Sequence, residues 1–486
     1  MRLSLRGLAA IRSLFCATLA LPAAAQAFCG FYVGRADAGL FNDASKVIMA
    51  RAGERTVITM QNDYAGPLPA FAMVVPVPEV PRREQIRIAD ARVFERIDAY
   101  SAPRLAEYFD PDPCAARRDN LSDRARGALQ APQASMEMAR PKATGVSVEA
   151  TYAVGEYDIV ILSAQQSDGL EAWLRDNGYR IPAGASRALA PYVRQGMKFF
   201  VARVNLAEQA RLAGNGGGVE GGTRQLRPLQ FSFRSEKFML PIRLGMLNAR
   251  GPQELLLWVL TREGRVEASN YRTLKLPANM DLPVGVRGDF PRFYKGLFAE
   301  QARRESNRVV FTEYFWDMSW CDPCAADPLS PEELREAGVF WLDGGAEDAA
   351  GPAGTNMVRP RRGMVGNAGG AQPVMLTRLH MRYSRDTFPE DLSFQETRDR
   401  QNYQARYVLR HAWRGDPDAC PEARPYLRQV RERREREAQS LANLTGWDVN
   451  EVRERYGVSS VPKGLDERSG DERRRDDGFW SRWINP

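Results

Sequence analysis

Residues 309–324 read Val-Val-Phe-Thr-Glu-Tyr-Phe-Trp-Asp-Met-Ser-Trp-Cys-Asp-Pro-Cys. No other stretch limits the fold as much. The run is apolar, β-branched and aromatic, the composition of a strand. The run opens directly onto Trp320-Cys321-Asp322-Pro323-Cys324, two thiols three positions apart with a proline between them.

Further strands are expected at residues 46–50 and 55–60, joined by a hairpin at Ala52-Gly53-Glu54. Residues 62–67 form a turn cluster, and residues 71–77 a third strand stopped by Pro76, Pro78 and Pro81. Ser101 is placed as the cap of a short helix carrying Leu105, Tyr108 and Phe109, ended by Pro111 and Pro113. Residues 151–162 alternate as a hairpin turning at Gly155-Glu156. Ser167 caps a helix with Leu170, Trp173 and Leu174 on one face and Gly178 at its close. A helical turn follows at 188–193, and strands at 197–204, 229–233, 238–244, 255–260, 265–268 and 374–383.

The resulting fold class is α+β and strand-dominated, with two packed β-rich lobes, a few helices and a helical C-terminal appendage. The boundaries read from composition are a leader at 1–27, an N-terminal β-rich lobe at 28–118 and a linker or long loop at 119–144. The α+β main lobe covers 145–425, with glycine-rich inserts near 214–222 and 343–372. C-terminal helices follow at 426–457, the second opened by Thr445-Gly446-Trp447-Asp448, and a polar, disordered tail at 458–486.

The leader has a basic n-region (Arg2, Arg6, Arg12), an apolar h-region at 13–21, and a small-x-small site at Ala25-Gln26-Ala27. Its apolar run is far shorter than the roughly 20 residues of a membrane span. Phe28 stands where a lipid-attachment site needs a small residue before Cys29. Cleavage would leave an exported chain in the periplasm or outside the cell, with no transmembrane segment. It also removes three of the seven net positive charges. What remains is an ordinary solvated surface without a basic cluster interleaved with aromatics, so no nucleic-acid partner is expected.

Several of these segments resemble the bacterial family called domain of unknown function 2330. They are Cys29-Gly30-Phe31-Tyr32-Val33, residues 41–46, 55–64, 71–78 and 155–162, Trp320 to Cys324, and residues 378–383. The resemblance implies an exported bacterial protein and carries over no catalytic residue.

Export makes disulfide the default state of Cys29, Cys114, Cys321, Cys324 and Cys420, with the pairing left open. Trp-Cys-Asp-Pro-Cys is also similar to the redox site of thioredoxin-type enzymes, where a helix N-terminus activates the first thiol. Here the next helix signal is Ser330-Pro331-Glu332-Glu333, which leaves Cys324 in a loop, and Asp322 disfavours a thiolate at Cys321. A bridging role is therefore expected for Cys321 and Cys324, with thiol–disulfide exchange as the alternative. Two histidines, His380 and His411, supply no metal-ligand spacing, so neither metal nor cofactor is expected. His380 reads as a satisfied strand residue, and the acid pairs Asp110/Asp112 and Asp416/Asp418 as turns. These readings favour a non-enzymatic envelope protein that binds or scaffolds, stabilised by disulfides.

Overall fold

A computed structural model describes residues 31–34, 45–65, 70–115, 147–205, 208, 223–249, 251–320, 327–342 and 372–458. Strand is the dominant element, and the fold is α+β. Residues 1–27, the 119–144 segment, the inserts at 214–222 and 343–371, and residues 459–486 lie outside the described residues.

Two large sheets face each other. The first has five antiparallel strands in the order Phe31–Gly34, Ala70–Val77, Lys198–Asn205, Tyr157–Ser163, Ser147–Val154. The second runs Arg272–Lys275, Val309–Asp317, Met375–Tyr383, Gln253–Thr261, Ser45–Ala52, Arg55–Ala65, Leu229–Arg234, Ile86–Ile88. Period-two alternation explains why they stack. Met73 and Val75 of the first sheet and Val47, Met49, Leu257, Val259, Leu379 and Met381 of the second share one core between the sheets. Their neighbours in sequence point outward. Ala72, Val74, Phe199 and Val201 pack on helices Ser167–Asp176 and Ala185–Arg194. Ile48, Ala50, Leu256, Trp258 and Leu260 pack on helices Arg92–Ser101 and Pro331–Glu336. The molecule is thus layered helix, sheet, sheet, helix. Each sheet takes strands from both sides of the 119–144 segment, so the boundary read at 118 does not separate one sheet from the other.

Several local expectations change. Residues 62–65 continue the strand Arg55–Ala65, because Ser45 pairs with Asn62 and Thr223–Gln225 with residues 63–65. Ser101 ends a helix instead of starting one. Pro103 holds Ala102 extended at ψ 149°, so the helix Arg92–Ser101 stops and Arg104–Phe109 becomes a strand. Helix Arg92–Ser101 carries Val93, Phe94, Ile97 and Tyr100 on its buried face, a periodicity masked by its many charges. Gln166, not Ser167, is the N-cap residue of the next helix. Only Met239–Leu240 of the 238–244 run is strand, because Arg243–Leu247 winds into a 3-10 turn. Helix Phe290–Arg304 occupies a stretch with no earlier assignment. The Ser330 capping box forms as read, with Ser330 accepting from Glu333 N. Asp448 caps the last helix, Val449–Arg455, while Gly446 at φ 70° closes the one before it.

Asp391 joins three of these parts. One carboxylate oxygen accepts from Tyr192 Oη (2.7 Å), Ile242 N (2.9 Å) and Arg243 N (3.1 Å), and the other from Arg243 Nη2 (3.3 Å). Removing a buried hydrogen-bonded anion strands its donors. Asp391→Ala should therefore lower unfolding free energy by about 3 kcal/mol, read from denaturant midpoints. Asp391→Asn, which keeps one acceptor oxygen, should lower it less.

Candidate functional site

Strand Met375–Tyr383 alternates Thr377, Leu379, Met381 and Tyr383 toward the inter-sheet core with Arg378, His380 and Arg382 toward the outer face. An outer face with that composition would ordinarily meet water. Here helix Phe290–Arg304 lies over it on one side and helix Arg92–Ser101 on the other. Arg378 is 1% exposed and His380 4%. The charged row runs between two apolar clusters, one around Trp258 and Tyr314, the other around Phe298 and Phe311.

The anion at the centre is Glu313, fully buried in the run that opened the sequence analysis. Against Met375–Tyr383, Thr312 pairs with Leu379 and Tyr314 with Arg378, so Glu313 is the extra residue of a β-bulge. A bulge breaks strict alternation and re-aims one side chain. Glu313 Oε2 accepts from Arg378 Nε at 2.7 Å. Its Oε1 accepts from Tyr294 Oη at 2.5 Å and lies 2.8 Å from His380 Nδ1. Arg378 Nη1 donates to Asp98 on helix Arg92–Ser101, and the guanidinium sits 5.2 Å from the Trp258 ring centre. Trp258 Nε1 donates in turn to Ser101 Oγ (2.9 Å). His380 stacks on Phe298, centroids 3.5 Å apart, and its Nε2 faces Glu254 Oε2 at 3.8 Å. Glu254 accepts from Arg382 Nε (2.9 Å) and reaches the surface.

Protonation follows from this geometry. Burial pushes the Glu313 carboxyl up, but the His380 and Arg378 charges and the hydrogen bonds outweigh it and hold it at about 2. Burial pushes His380 down, yet the Glu313 charge and the Glu254 contact leave it raised. Burial, and then the Glu313 charge, keeps the Tyr294 hydroxyl protonated. The members of this row satisfy one another's charges and hydrogen bonds, and the row locks two helices to a sheet.

A second polar cluster lies under the helix Ala423–Thr445. Asp110 accepts from Tyr426 Oη (2.6 Å) and pairs with Arg433 Nη1 (2.8 Å); Arg433 Nε stands 3.3 Å from Glu437 Oε1. Glu437 is 3% exposed. Burial raises its carboxyl, Arg433 opposes, and Asp281 adds to the rise, bringing it to about 7. Beside this cluster Cys114 and Cys420 form a disulfide across 306 residues of sequence. It ties the exit of strand Arg104–Phe109 to the start of the long helix.

Cys29, Cys321 and Cys324 lie outside the described residues; Trp320 beside the pair is 69% exposed. Asp112 and Asp416 accept from Cys114 N and Asp418 N, as turn residues do. His411 Nε2 bonds Glu107 Oε2 at 2.7 Å. Sequence reading passed over Glu313, Arg378, Tyr294, Asp98 and Glu254. The one available signal was a glutamate inside an otherwise apolar strand. Among the described residues, no group of three or more His, Cys, Asp or Glu could hold a metal ion. None of their helices is long and apolar enough to cross a membrane.

A family model described as "Uncharacterized protein conserved in bacteria (DUF2330)" matches residues 23–395. No curated protein and no solved structure matches the chain.

Two expectations follow. Glu313→Gln leaves Arg378 buried against one fewer anion and should cost about 3–5 kcal/mol in chemical denaturation at pH 7. Glu437 has a folded value raised above its ordinary 4.5, so its contribution is full below 4.5 and is lost as pH rises through about 7. Melting curves should show wild type losing stability between pH 5 and pH 8. Glu437→Gln should flatten that slope and melt higher than wild type at pH 8.

Proposed function

The chain belongs to this bacterial family, and on that premise we propose that it is an exported envelope protein that binds or scaffolds, stabilised by disulfide. The Cys114–Cys420 bond carries the reading. A disulfide persists where thiols are oxidised, outside the bacterial cytoplasm. The tripartite leader at 1–27 points the same way. The binding-or-scaffold part rests on the charged row around Glu313, whose acids and bases neutralise one another.

Cell fractionation with intact-mass analysis tests the location. The protein should appear in the envelope fraction, starting at Phe28 or within a few residues of it, with Cys114 and Cys420 bonded after alkylation of free thiols at lysis. Retention of residues 1–27, or both cysteines recovered reduced, contradicts export. Loss of the bond in Cys420→Ser should lower stability by about 2–5 kcal/mol, since a long loop is released. An insulin-reduction assay separates scaffold from redox enzyme: turnover dependent on Cys321 would replace this reading with thiol–disulfide exchange.

A further inference from the structure

Strand Arg104–Phe109 is paired on one side only, in parallel with Arg406–His411. Arg104 N donates to Ala405 O (3.1 Å) and Asp110 N to His411 O (2.9 Å). In a parallel ladder the N–H and C=O of one residue turn to the same neighbour and alternate along the strand. Leu105, Glu107 and Phe109 therefore turn theirs to the opposite edge, where no backbone partner among the described residues meets them. The edge is aromatic as well as open: Tyr108 is 45% and Phe109 74% exposed. Folded proteins commonly cover or charge such an edge, because unpaired backbone beside apolar side chains recruits another strand.

The chain itself supplies a candidate. Val458, the last described residue, packs against the same apolar cluster as Leu105. Just before it, Tyr456 Oη bonds Asp289 Oδ2 (3.0 Å), in the turn Val284–Asp289 whose Arg287 Nε pairs with Glu107 Oε1 (3.2 Å). The chain thus leaves the described structure at the apolar cluster on which the edge strand packs. Residues 479–484, Phe-Trp-Ser-Arg-Trp-Ile, follow about twenty residues later, a connection that can span up to roughly 70 Å. Their composition favours a strand, and aromatic cross-strand pairs suit an edge bearing Tyr108 and Phe109. A tether of that length holds its end at an effective concentration of about millimolar.

We propose that the open edge of strand Arg104–Phe109 is a strand acceptor, occupied by residues 479–484 of the same molecule. The added strand takes the free backbone groups of Leu105, Glu107 and Phe109 and covers the two aromatic side chains. Pro103 and Pro111, which cannot donate to a ladder, limit the addition to this short stretch.

Amide hydrogen exchange on the full-length protein, resolved over residues 104–110, tests this against the double variant Trp480→Ser/Trp483→Ser. Neither substitution touches a described core residue, and an unchanged melting curve would show the variant folded. In wild type the amides of Leu105, Glu107 and Phe109 should be protected; in the variant they should exchange about tenfold faster or more, with Arg406–His411 unaltered. Equal exchange in the two proteins overturns the proposal. Protection that appears only as concentration rises, together with a dimer in sedimentation, would assign the edge to a second copy and overturn the intramolecular assignment. If the variant melts lower, the single Trp483→Ser and Phe109→Ser proteins replace it. Faster exchange at Leu105 and Glu107 in both supports the proposal, and wild-type rates in either overturn it.

Discussion

Arg378 lies under two helices with almost no water in reach, and a guanidinium so placed requires anions fixed in advance. Two arrive from different directions: Asp98 from the helix Arg92–Ser101 and Glu313 from the neighbouring strand. The Arg378 and His380 charges keep Glu313 ionised against its burial, and His380 and Tyr294 complete the shell around it. Replacing the whole set by apolar side chains of similar volume could be neutral for stability, but removing one member is not. What the network supplies is position. A slip of one residue in Met375–Tyr383 would carry Arg378 and His380 into the inter-sheet core and Leu379 and Met381 out of it. The charged row therefore excludes the neighbouring registers of the central sheet.

The bulge at Glu313 shows why this arrangement was hard to read from residues alone. Strict alternation along Val309–Asp317 places Phe311 and Glu313 on one face and Tyr314 on the other. The extra residue lets Phe311 and Tyr314 both serve the outer face, in two different apolar clusters, with the glutamate between them. Bulges leave no compositional signature. Arg378, His380 and Arg382 carry the opposite difficulty: their alternation reads as a solvent face, and only the covering helices make it an interior one. Helix Phe290–Arg304 is the chief cover. Its Phe290, Phe293 and Leu297 have helical spacing, but prolines and glycines around it broke the pattern.

Where local chemistry decides structure, the residues were legible. The Gly53 and Gly155 hairpins adopt positive φ, which glycine takes without strain. The Ser330 capping box closes because both of its hydrogen bonds are local. The strand-rich α+β class follows from alternating apolar runs. Sheet order did not follow, because pairing such as Ser45–Ala52 with Gln253–Thr261 joins residues about two hundred apart. Ser101 was misplaced for a related reason: its hydroxyl donates back to Ile97 O and accepts from Trp258, a partner far away in sequence.

The two polar clusters set opposite limits on stability. Glu313, held near 2 against an ordinary 4.5, contributes above 4.5 and is lost as pH falls toward 2. His380, raised above its ordinary 6.5, contributes fully below 6.5 and is lost as pH rises through its folded value, and Glu437 acts in the same sense around 7. Between roughly 4.5 and 6.5 the Glu313 and His380 contributions are both present, while that of Glu437 is already falling. The two alkaline-sensitive groups sit at different junctions: His380 under helix Phe290–Arg304, Glu437 under helix Ala423–Thr445. Of these junctions, only the second is backed by the Cys114–Cys420 bond. Loosening at alkaline pH should therefore begin over His380, where noncovalent contacts alone hold the helix, while the disulfide keeps the start of the long helix beside strand Arg104–Phe109.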